Sequence, residues 1–264
     1  MLRRTLIQKT FFSHFLLLML AVAVFPTLSY SAPADAEPGK KIYHLSFDGL
    51  ARTGSPEIIA EKAISSKITL NKNARSFVTA YLEKEVEFLE RMKEKSGKYF
   101  RTIDKVFDEY GVPPQLKYLA VVESELYTHA KSRVGARGMW QLMPVTAKEL
   151  GLRVSGKTDE RTHMQSSTVA AAKYLRYLYG EFGDWLLVLA AYNSGPGTVL
   201  KAMKKAGSKN FWAIQRFLPA ESRGHVKRFI SIHYFFEGDG SIATQTKAEA
   251  KAWEEKMEVA VAGL

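Results

Sequence analysis

The feature that most constrains the fold is the spacing of the apolar residues, which recur every three or four positions in one segment after another. In residues 74–95, for example, Phe77, Tyr81 and Leu82 are interleaved with Glu and Lys. This is the period of one face of an α-helix, whereas half-buried strands alternate with period two, and no sustained alternation of that kind occurs. Because 46% of the residues are hydrophobic, a packed core is expected. The sequence therefore predicts an all-α fold with little or no sheet.

Glycine and proline residues divide this pattern into successive helices. We predict helices over 74–95, 99–110, 114–125, 146–150, 167–179, 184–193, 198–205 and 223–236, followed by a partly helical tail from residue 238. Gly97 is predicted to end the first helix. Pro114 suits the first turn of the third, since a proline there loses no helical hydrogen bond.

The first 31 residues have the composition of a signal peptide. A basic start with Arg3, Arg4 and Lys9 precedes the apolar run 15–25. That run is short for a membrane span, which needs roughly 20 residues. We therefore expect export followed by cleavage, with a retained membrane anchor as the alternative.

The charge and the cysteine content limit the classes of partner. The formal net charge is +11 and there is no cysteine, so disulfides are excluded and anionic partners are favoured. The Lys and Arg residues are scattered, and an exported protein rarely meets nucleic acid, so we expect no nucleic-acid binding. The six histidines are also scattered, and no HExxH or phosphate-binding motif occurs. We expect neither a metal nor a cofactor.

Glu123 is the candidate for acid chemistry. It follows Leu116, Leu119 and Ala120 on one side of the predicted helix 114–125, and a carboxylic acid kept partly out of water can donate a proton near neutral pH. Glu125 lies about 200° away around the helix, so the two acids are not expected to face one ligand. Helix geometry thus removes Glu125 as a second acid for Glu123. The plainer alternative is that Glu123 caps the helix end or pairs with an arginine.

Three kinds of residue near Glu123 favour a saccharide as the ligand. Glycines at 135, 138 and 151 mark a loop that a bulky ligand can approach. The aromatic residues of the type that stack on sugar rings are Tyr127, Trp140, Trp185 and Tyr192. The side chains suited to directed hydrogen bonds are Ser132, Gln141 and Asn193.

Three separated motifs carry a resemblance to a known family. They are Glu123-Ser124 with Ser132 following, Gly135-Ala136-Arg137-Gly138-Met139-Trp140-Gln141, and Ala190-Ala191-Tyr192-Asn193-Ser194-Gly195. In order and spacing they resemble the catalytic domain of family 1 lytic transglycosylases, the soluble-lytic-transglycosylase and goose-type-lysozyme-like group. The likeness runs from about residue 68 to 236 and is greatest to the membrane-bound lytic murein transglycosylase D-type branch.

The resemblance implies a lysozyme-like helical domain that cleaves the β-1,4 bond between N-acetylmuramic acid and N-acetylglucosamine in peptidoglycan. In this family one glutamate protonates the glycosidic oxygen, while the N-acetyl group of the substrate supports the charge at C1. The same carboxylate then takes the proton of the C6 hydroxyl, which closes a 1,6-anhydro ring without water or a cofactor. Two alternatives stay open: a muramidase that uses water, and a non-catalytic peptidoglycan-binding protein.

Carried over position by position, the resemblance implies that Glu123 is catalytic. The substrate-binding positions that it implies are Ser124, Ser132, Gly138, Trp140, Gln141, Tyr192 and Asn193. Ser124 and Asn193 could instead brace the helices, and Trp140 could instead belong to the core. The sequence departs from the family where His225 replaces a common tyrosine and where His163 follows an Asp-x-Arg element; the roles of these two histidines stay open.

On this basis we divide the chain into five segments. They are a signal peptide (1–31), a loosely structured lead-in (32–66), a helical N-terminal extension packed on the catalytic domain (67–110), the lytic transglycosylase catalytic domain (111–237) and a partly helical C-terminal tail (238–264). The expected partners are peptidoglycan glycan strands in the periplasm or cell envelope, with peripheral association to membrane or wall. Endo or exo cleavage and the peptide-stem preference stay open.

Overall fold

The computed structural model describes residues 68–262, and helices dominate this range. The α-helices are α1 (Lys72–Lys84), α2 (Val86–Glu109), α3 (Tyr118–Ser124), α4 (Pro144–Glu149), α5 (Met164–Phe182), α6 (Trp185–Ser194), α7 (Pro196–Ala206), α8 (Phe211–Ile214), α9 (Ala220–Glu237) and α10 (Lys247–Ala262). Short 3-10 turns cover Pro114–Lys117, Glu160–Thr162, Gln215–Phe217 and Ile242–Thr244. The predictions for 1–31 and 32–66 lie outside the described residues.

The prediction of an all-α fold with little or no sheet is confirmed. Within residues 68–262 the strand-like contacts are isolated bridges in two loops, between Lys131 and Arg137, between Arg137 and Leu142, and between Val154 and Asp159. None of the helices in this range combines the length and the apolar character that crossing a membrane requires.

Helix α6 is the centre of the core. Its apolar residues cover its whole circumference, as expected for a helix that is surrounded by protein. The buried members are Trp185, Leu186, Leu187, Val188, Leu189, Ala190 and Ala191. Helices α5, α7 and α9 pack against it, and α9 also contacts α1 and α3. This arrangement brings the ends of α3, α6 and α9 into one region.

The prediction that Gly97 ends the first helix is wrong. The helix breaks earlier, at Glu85, and α2 then continues through the exposed Gly97 to Glu109. A glycine inside a helix costs about 1 kcal/mol relative to alanine. Burial of Leu89 and Met92 before it and of three further apolar residues after it offsets that cost, because α2 packs along α5.

Asp184 joins the start of α6 to the start of α10. Its Oδ1 accepts the N–H groups of Leu186 at 3.0 Å and Leu187 at 3.1 Å, which caps α6. Its Oδ2 accepts the N–H of Lys247 at 2.7 Å. Burial raises the pKa of Asp184 to about 6, although these three donors act in the opposite direction.

We predict that Asp184→Ala lowers the free energy of unfolding by about 1–3 kcal/mol, because it leaves buried N–H donors without an acceptor. Asp184→Asn is the matched control. It keeps an oxygen for the α6 cap but turns an NH₂ group toward the N–H of Lys247, so a smaller loss is expected. Urea denaturation of both variants measures this, and equal losses would show that the two oxygens do not contribute separately.

Candidate active site

Glu123 lies in the last turn of α3, at the edge of the core. The helix stops after Ser124 because Glu125 and Leu126 take left-handed backbone conformations, with φ of 53° and 64°. The N–H of Leu126 then bonds back to the carbonyl oxygen of Ala120 at 3.2 Å, which is the hydrogen-bond pattern of a Schellman-type helix end. The Glu123 side chain is 13% exposed, so it reaches solvent while most of its surface is covered.

Glu125 and Glu123 do not form a facing pair, which agrees with the prediction from helix geometry. Glu125 lies beyond the helix, its side chain is exposed, and Lys95 Nζ donates to its backbone oxygen at 2.6 Å. Across residues 68–262, the side chain that is hydrogen-bonded to the Glu123 carboxylate belongs to a histidine rather than to a second acid.

That histidine is His225, on α9. Its Nε2 lies 2.8 Å from Oε1 of Glu123, and its side chain is only 3% exposed. Its other ring nitrogen, Nδ1, is buried and has no hydrogen-bond partner among the described residues. A protein side chain therefore contacts the Glu123 carboxylate, which was not predicted, while catalysis by Glu123 as the single acid stays a prediction. Helix geometry within α3 could exclude Glu125, but it gave no information about α9, which is a hundred residues away in sequence.

Tyr192, on α6, contributes a second group beside Glu123. Its hydroxyl donates to the backbone oxygen of Trp140 at 2.7 Å. Burial and, secondly, the charge of Glu123 raise the pKa of Tyr192 well above its ordinary value. The phenol therefore stays protonated and neutral over the physiological pH range.

The loop between α3 and α4 carries Ser132 and Gln141, both half-buried. The Ser132 Oγ accepts the N–H of Ala136 at 2.9 Å, so its own O–H stays available. Gln141 has a φ of 46°, a conformation that non-glycine residues rarely adopt. Its Nε2 donates to the oxygen of Gly138 at 2.8 Å. The structure gives the Gln141 Oε1 no partner in the described range, so it can accept a hydrogen bond from a ligand.

Two aromatic residues that were predicted as sugar platforms belong to the core instead. Trp140 is fully buried; its Nε1 donates to Thr168 at 3.0 Å and its ring lies 5.6 Å from that of Phe107. Trp185 is also buried and stacks on Tyr179 with 4.1 Å between the ring centroids. The prediction that Trp140 binds substrate is therefore wrong, because the chain packs both of its faces. Among the four predicted platforms, Tyr127 is 59% exposed.

Gly138 is needed for a contact between two loops rather than for the approach of a ligand. Its φ is +83°, and a Cβ at this position would lie 1.8 Å from the backbone oxygen of Arg161. No side chain fits there without moving the backbone. This close approach accounts for the glycine, and the substrate-binding role of Gly138 stays a prediction.

Ser124 and Asn193 brace the helices, which was the alternative stated for them. The Ser124 hydroxyl donates to the backbone oxygen of Met139 at 2.8 Å. The Oδ1 of Asn193 accepts the hydroxyl of Ser222, on α9, at 2.8 Å. Both polar groups are used in contacts between elements that surround Glu123.

The three sequence motifs meet at two neighbouring backbone oxygens. The motif of Glu123 reaches the oxygen of Met139 through Ser124, and the motif of Tyr192 reaches the oxygen of Trp140. Since these oxygens precede Gln141 directly in the chain, one loop fixes the relative positions of all three motifs.

Arg161 is a residue of this region to which the sequence analysis gave no role, although it noted the Asp-x-Arg element. Its buried guanidinium donates to the oxygen of Gly135 at 2.8 Å and to that of Leu142 at 2.9 Å, the first residue of the motif 135–141 and the residue that directly follows it. It also forms a two-point ion pair with Asp159, at 2.8 Å for each contact. The Asp159 carboxylate accepts a further bond from Arg137 at 3.2 Å. The hydrogen bonds from Arg161 hold the pKa of Asp159 below its ordinary value.

We predict that Arg161→Ala lowers the free energy of unfolding by about 3 kcal/mol, because the largely buried Asp159 carboxylate loses its two-point partner and keeps only the longer contact with Arg137 at 3.2 Å. The lowered pKa of Asp159 means that this contribution is fully present above about pH 4 and is lost as the pH falls further. Chemical denaturation at neutral and acidic pH measures both effects.

Arg153→Ala is the matched control for this prediction. Arg153 pairs with Glu160 at 2.6 Å, but its side chain is 75% exposed, so its removal should change the stability little. Equal effects of the two substitutions would contradict the assignment of Arg161 as the anchor of the loop.

Comparison with solved structures defines the class of fold. The crystal structure of the 70-kDa soluble lytic transglycosylase from Escherichia coli superposes with a TM-score of 0.53 and 23% identity, over 67% of this chain and 31% of that chain. The structure of the 70-kDa soluble lytic transglycosylase in complex with bulgecin A gives a TM-score of 0.54 and 20% identity, over the same shares of the two chains. The fold is therefore that of the helical lytic transglycosylases.

Sequence comparison finds the same class of protein. Residues 101–215 match the family model described as Transglycosylase SLT domain. The chain is 38% identical to the membrane-bound lytic murein transglycosylase D of E. coli K12 over 126 residues, which is 46% of this chain and 27% of that protein. It is 31% identical to the soluble lytic murein transglycosylase of the same strain over 138 residues, which is 48% of this chain and 21% of that protein. The chain thus spans about a quarter or less of the length of these relatives.

Proposed function

We propose that the protein is a peptidoglycan lytic transglycosylase. It cleaves the β-1,4 bond between N-acetylmuramic acid and N-acetylglucosamine and leaves 1,6-anhydro ends. The observation that carries the proposal is the meeting of the three motifs around Glu123, whose carboxyl group is mostly covered but still reaches solvent. The match of residues 101–215 to the SLT domain model and the lytic transglycosylases among the relatives of the chain support the same activity.

In the first step Glu123 acts as a general acid. Its proton passes to the glycosidic oxygen as the bond from that oxygen to C1 of the muramoyl residue breaks. The N-acetyl oxygen of the substrate supports the positive charge that develops at C1. The neutral Tyr192 phenol adds no charge beside the reacting group, and its O–H is donated to the backbone oxygen of Trp140.

In the second step the Glu123 carboxylate acts as a general base. It takes the proton of the C6 hydroxyl of the same muramoyl residue, while the C6 oxygen bonds to C1. The 1,6-anhydro ring is then closed, and Glu123 is again protonated for the next cycle. No water is consumed, so the atoms of the two products sum to those of the substrate.

One carboxyl group is enough for this cycle, which agrees with the surroundings of Glu123. Most glycosidases use two acids that flank the scissile bond, and families assisted by the substrate are exceptions. The hydrogen-bonded neighbour of Glu123 in the described part of the chain is His225 rather than an acid. A muramidase is the second candidate function, and it differs in that water attacks C1.

Ser132 and Gln141 are the proposed saccharide-binding side chains. Each keeps one polar atom without a partner in the described residues, the O–H of Ser132 and the Oε1 of Gln141, after its contacts within the loop are counted. The proposed partners are peptidoglycan glycan strands in the periplasm or cell envelope, which the predicted signal peptide would allow the protein to reach. The basic net charge would favour peripheral association with the anionic wall or membrane surface.

We predict that Glu123→Gln slows the release of soluble fragments from peptidoglycan by about 100-fold or more, because the amide cannot donate and recover the proton. Glu125→Gln is the matched control, since it makes the same change two residues away on an exposed side chain and should leave the rate unchanged. Wild-type activity in Glu123→Gln would refute the proposed function.

A further inference from the structure

We propose that His225 is a positioning residue for Glu123: its Nε2–H donates to Oε1 of Glu123 and leaves Oε2 as the atom that carries the catalytic proton. The inference rests on the proposed function and adds a part of the site to it. The contact that supports it is the 2.8 Å approach of Nε2 to Oε1, made by an imidazole that is almost completely buried.

The surroundings of the buried Nδ1 atom indicate the protonation state and the tautomer of the imidazole. It has no hydrogen-bond partner in residues 68–262. In the imidazolium, or in the tautomer with hydrogen on Nδ1, this atom would be an N–H donor buried without an acceptor, which is unfavourable. In the neutral tautomer with hydrogen on Nε2, the Nδ1 atom carries only a lone pair. The geometry therefore favours a neutral imidazole that donates from Nε2.

This tautomer fixes the direction of the hydrogen bond to Glu123. Because Nε2 is the donor, Oε1 is the acceptor both when Glu123 is protonated and when it is a carboxylate. The carbonyl oxygen of a carboxyl group accepts better than its hydroxyl oxygen, so the catalytic proton is placed on Oε2, which has no hydrogen-bond partner among residues 68–262. The bond from Nε2 strengthens when the carboxylate forms, since hydrogen bonds to charged acceptors are the stronger ones.

The position of His225 in the fold suits this role. Helix α9 packs against both α3 and α6, and Ser222 on the same helix bonds to Asn193 of α6 at 2.8 Å. The imidazole is thus fixed relative to the helix end that carries Glu123. A glutamate side chain has three rotatable bonds, so a rigid donor removes orientations in which its proton would miss the glycosidic oxygen.

The test compares two substitutions of His225 in the full chain. His225→Phe fills the space but donates no hydrogen bond, so kcat on soluble uncross-linked peptidoglycan strands should fall by about 100-fold while KM stays within about twofold. His225→Gln restores an NH₂ donor, and its kcat should be at least about tenfold higher than that of His225→Phe. Rescue by a donor would not be expected if the histidine only filled space.

His233→Phe is the matched control. His233 is buried on the same helix, and its Nε2 contacts the Ser241 hydroxyl at 2.7 Å. Burial lowers the pKa of His233 to about 4, so it is also neutral. This substitution should keep the wild-type kcat, and thermal melting of each variant shows whether it is folded.

The outcomes separate this inference from the proposed function. If Glu123→Gln is inactive but His225→Phe keeps the wild-type kcat, or changes KM alone, the inference is overturned and the proposed function stands. If Glu123→Gln is active, the proposed function is refuted, and the inference that rests on it is refuted as well. If His225→Phe is poorly folded, the test uses the kcat of the folded His225→Gln and nitrogen-15 NMR of the wild-type imidazole. The NMR should show hydrogen on Nε2 at neutral pH; hydrogen on Nδ1, or on both nitrogens, would overturn the inference.

Discussion

The site depends on a buried guanidinium that holds one loop in a single shape. Arg161 bonds to the backbone oxygens of Gly135 and Leu142, which bracket the loop that carries Gln141, and is itself oriented by Asp159. The loop then offers the oxygens of Met139 and Trp140 to hydroxyl groups on α3 and α6. Removing the Arg161–Asp159 ion pair would therefore weaken the contacts that hold the three motifs together, although neither residue takes part in the proposed reaction.

The same construction explains why an acid can be kept mostly covered without a second acid beside it. Glu123 extends from a helix whose residues 118–121 belong to the core, and within residues 68–262 its hydrogen-bonded neighbour is a buried imidazole. The substrate would then supply the group that stabilises the charge at C1. A site of this kind needs accurate placement of one carboxyl group, and helices α3, α6 and α9 provide it by direct packing.

The sequence was sufficient for the helical class of the fold and for the residues of the three motifs, because helical periodicity and motif spacing are local properties. It was insufficient where packing between distant segments decides the outcome. Gly97 stays inside α2 because α5 covers that helix, and Trp140 is buried because Phe107 and Thr168 pack against it. The contact of His225 with Glu123 spans 102 positions, so no local pattern could reveal it. The one available signal was the departure from the family at this position.

In the proposed reaction the C6 hydroxyl of the substrate, rather than water, attacks C1. Mass spectrometry of the fragments released from purified peptidoglycan distinguishes the two nucleophiles. We expect muropeptides that end in 1,6-anhydro-N-acetylmuramic acid, each lighter by one water than the hydrolysis product, and we expect them to disappear in Glu123→Gln. Fragments with reducing N-acetylmuramic acid ends and no anhydro product would contradict the proposed reaction and identify a muramidase.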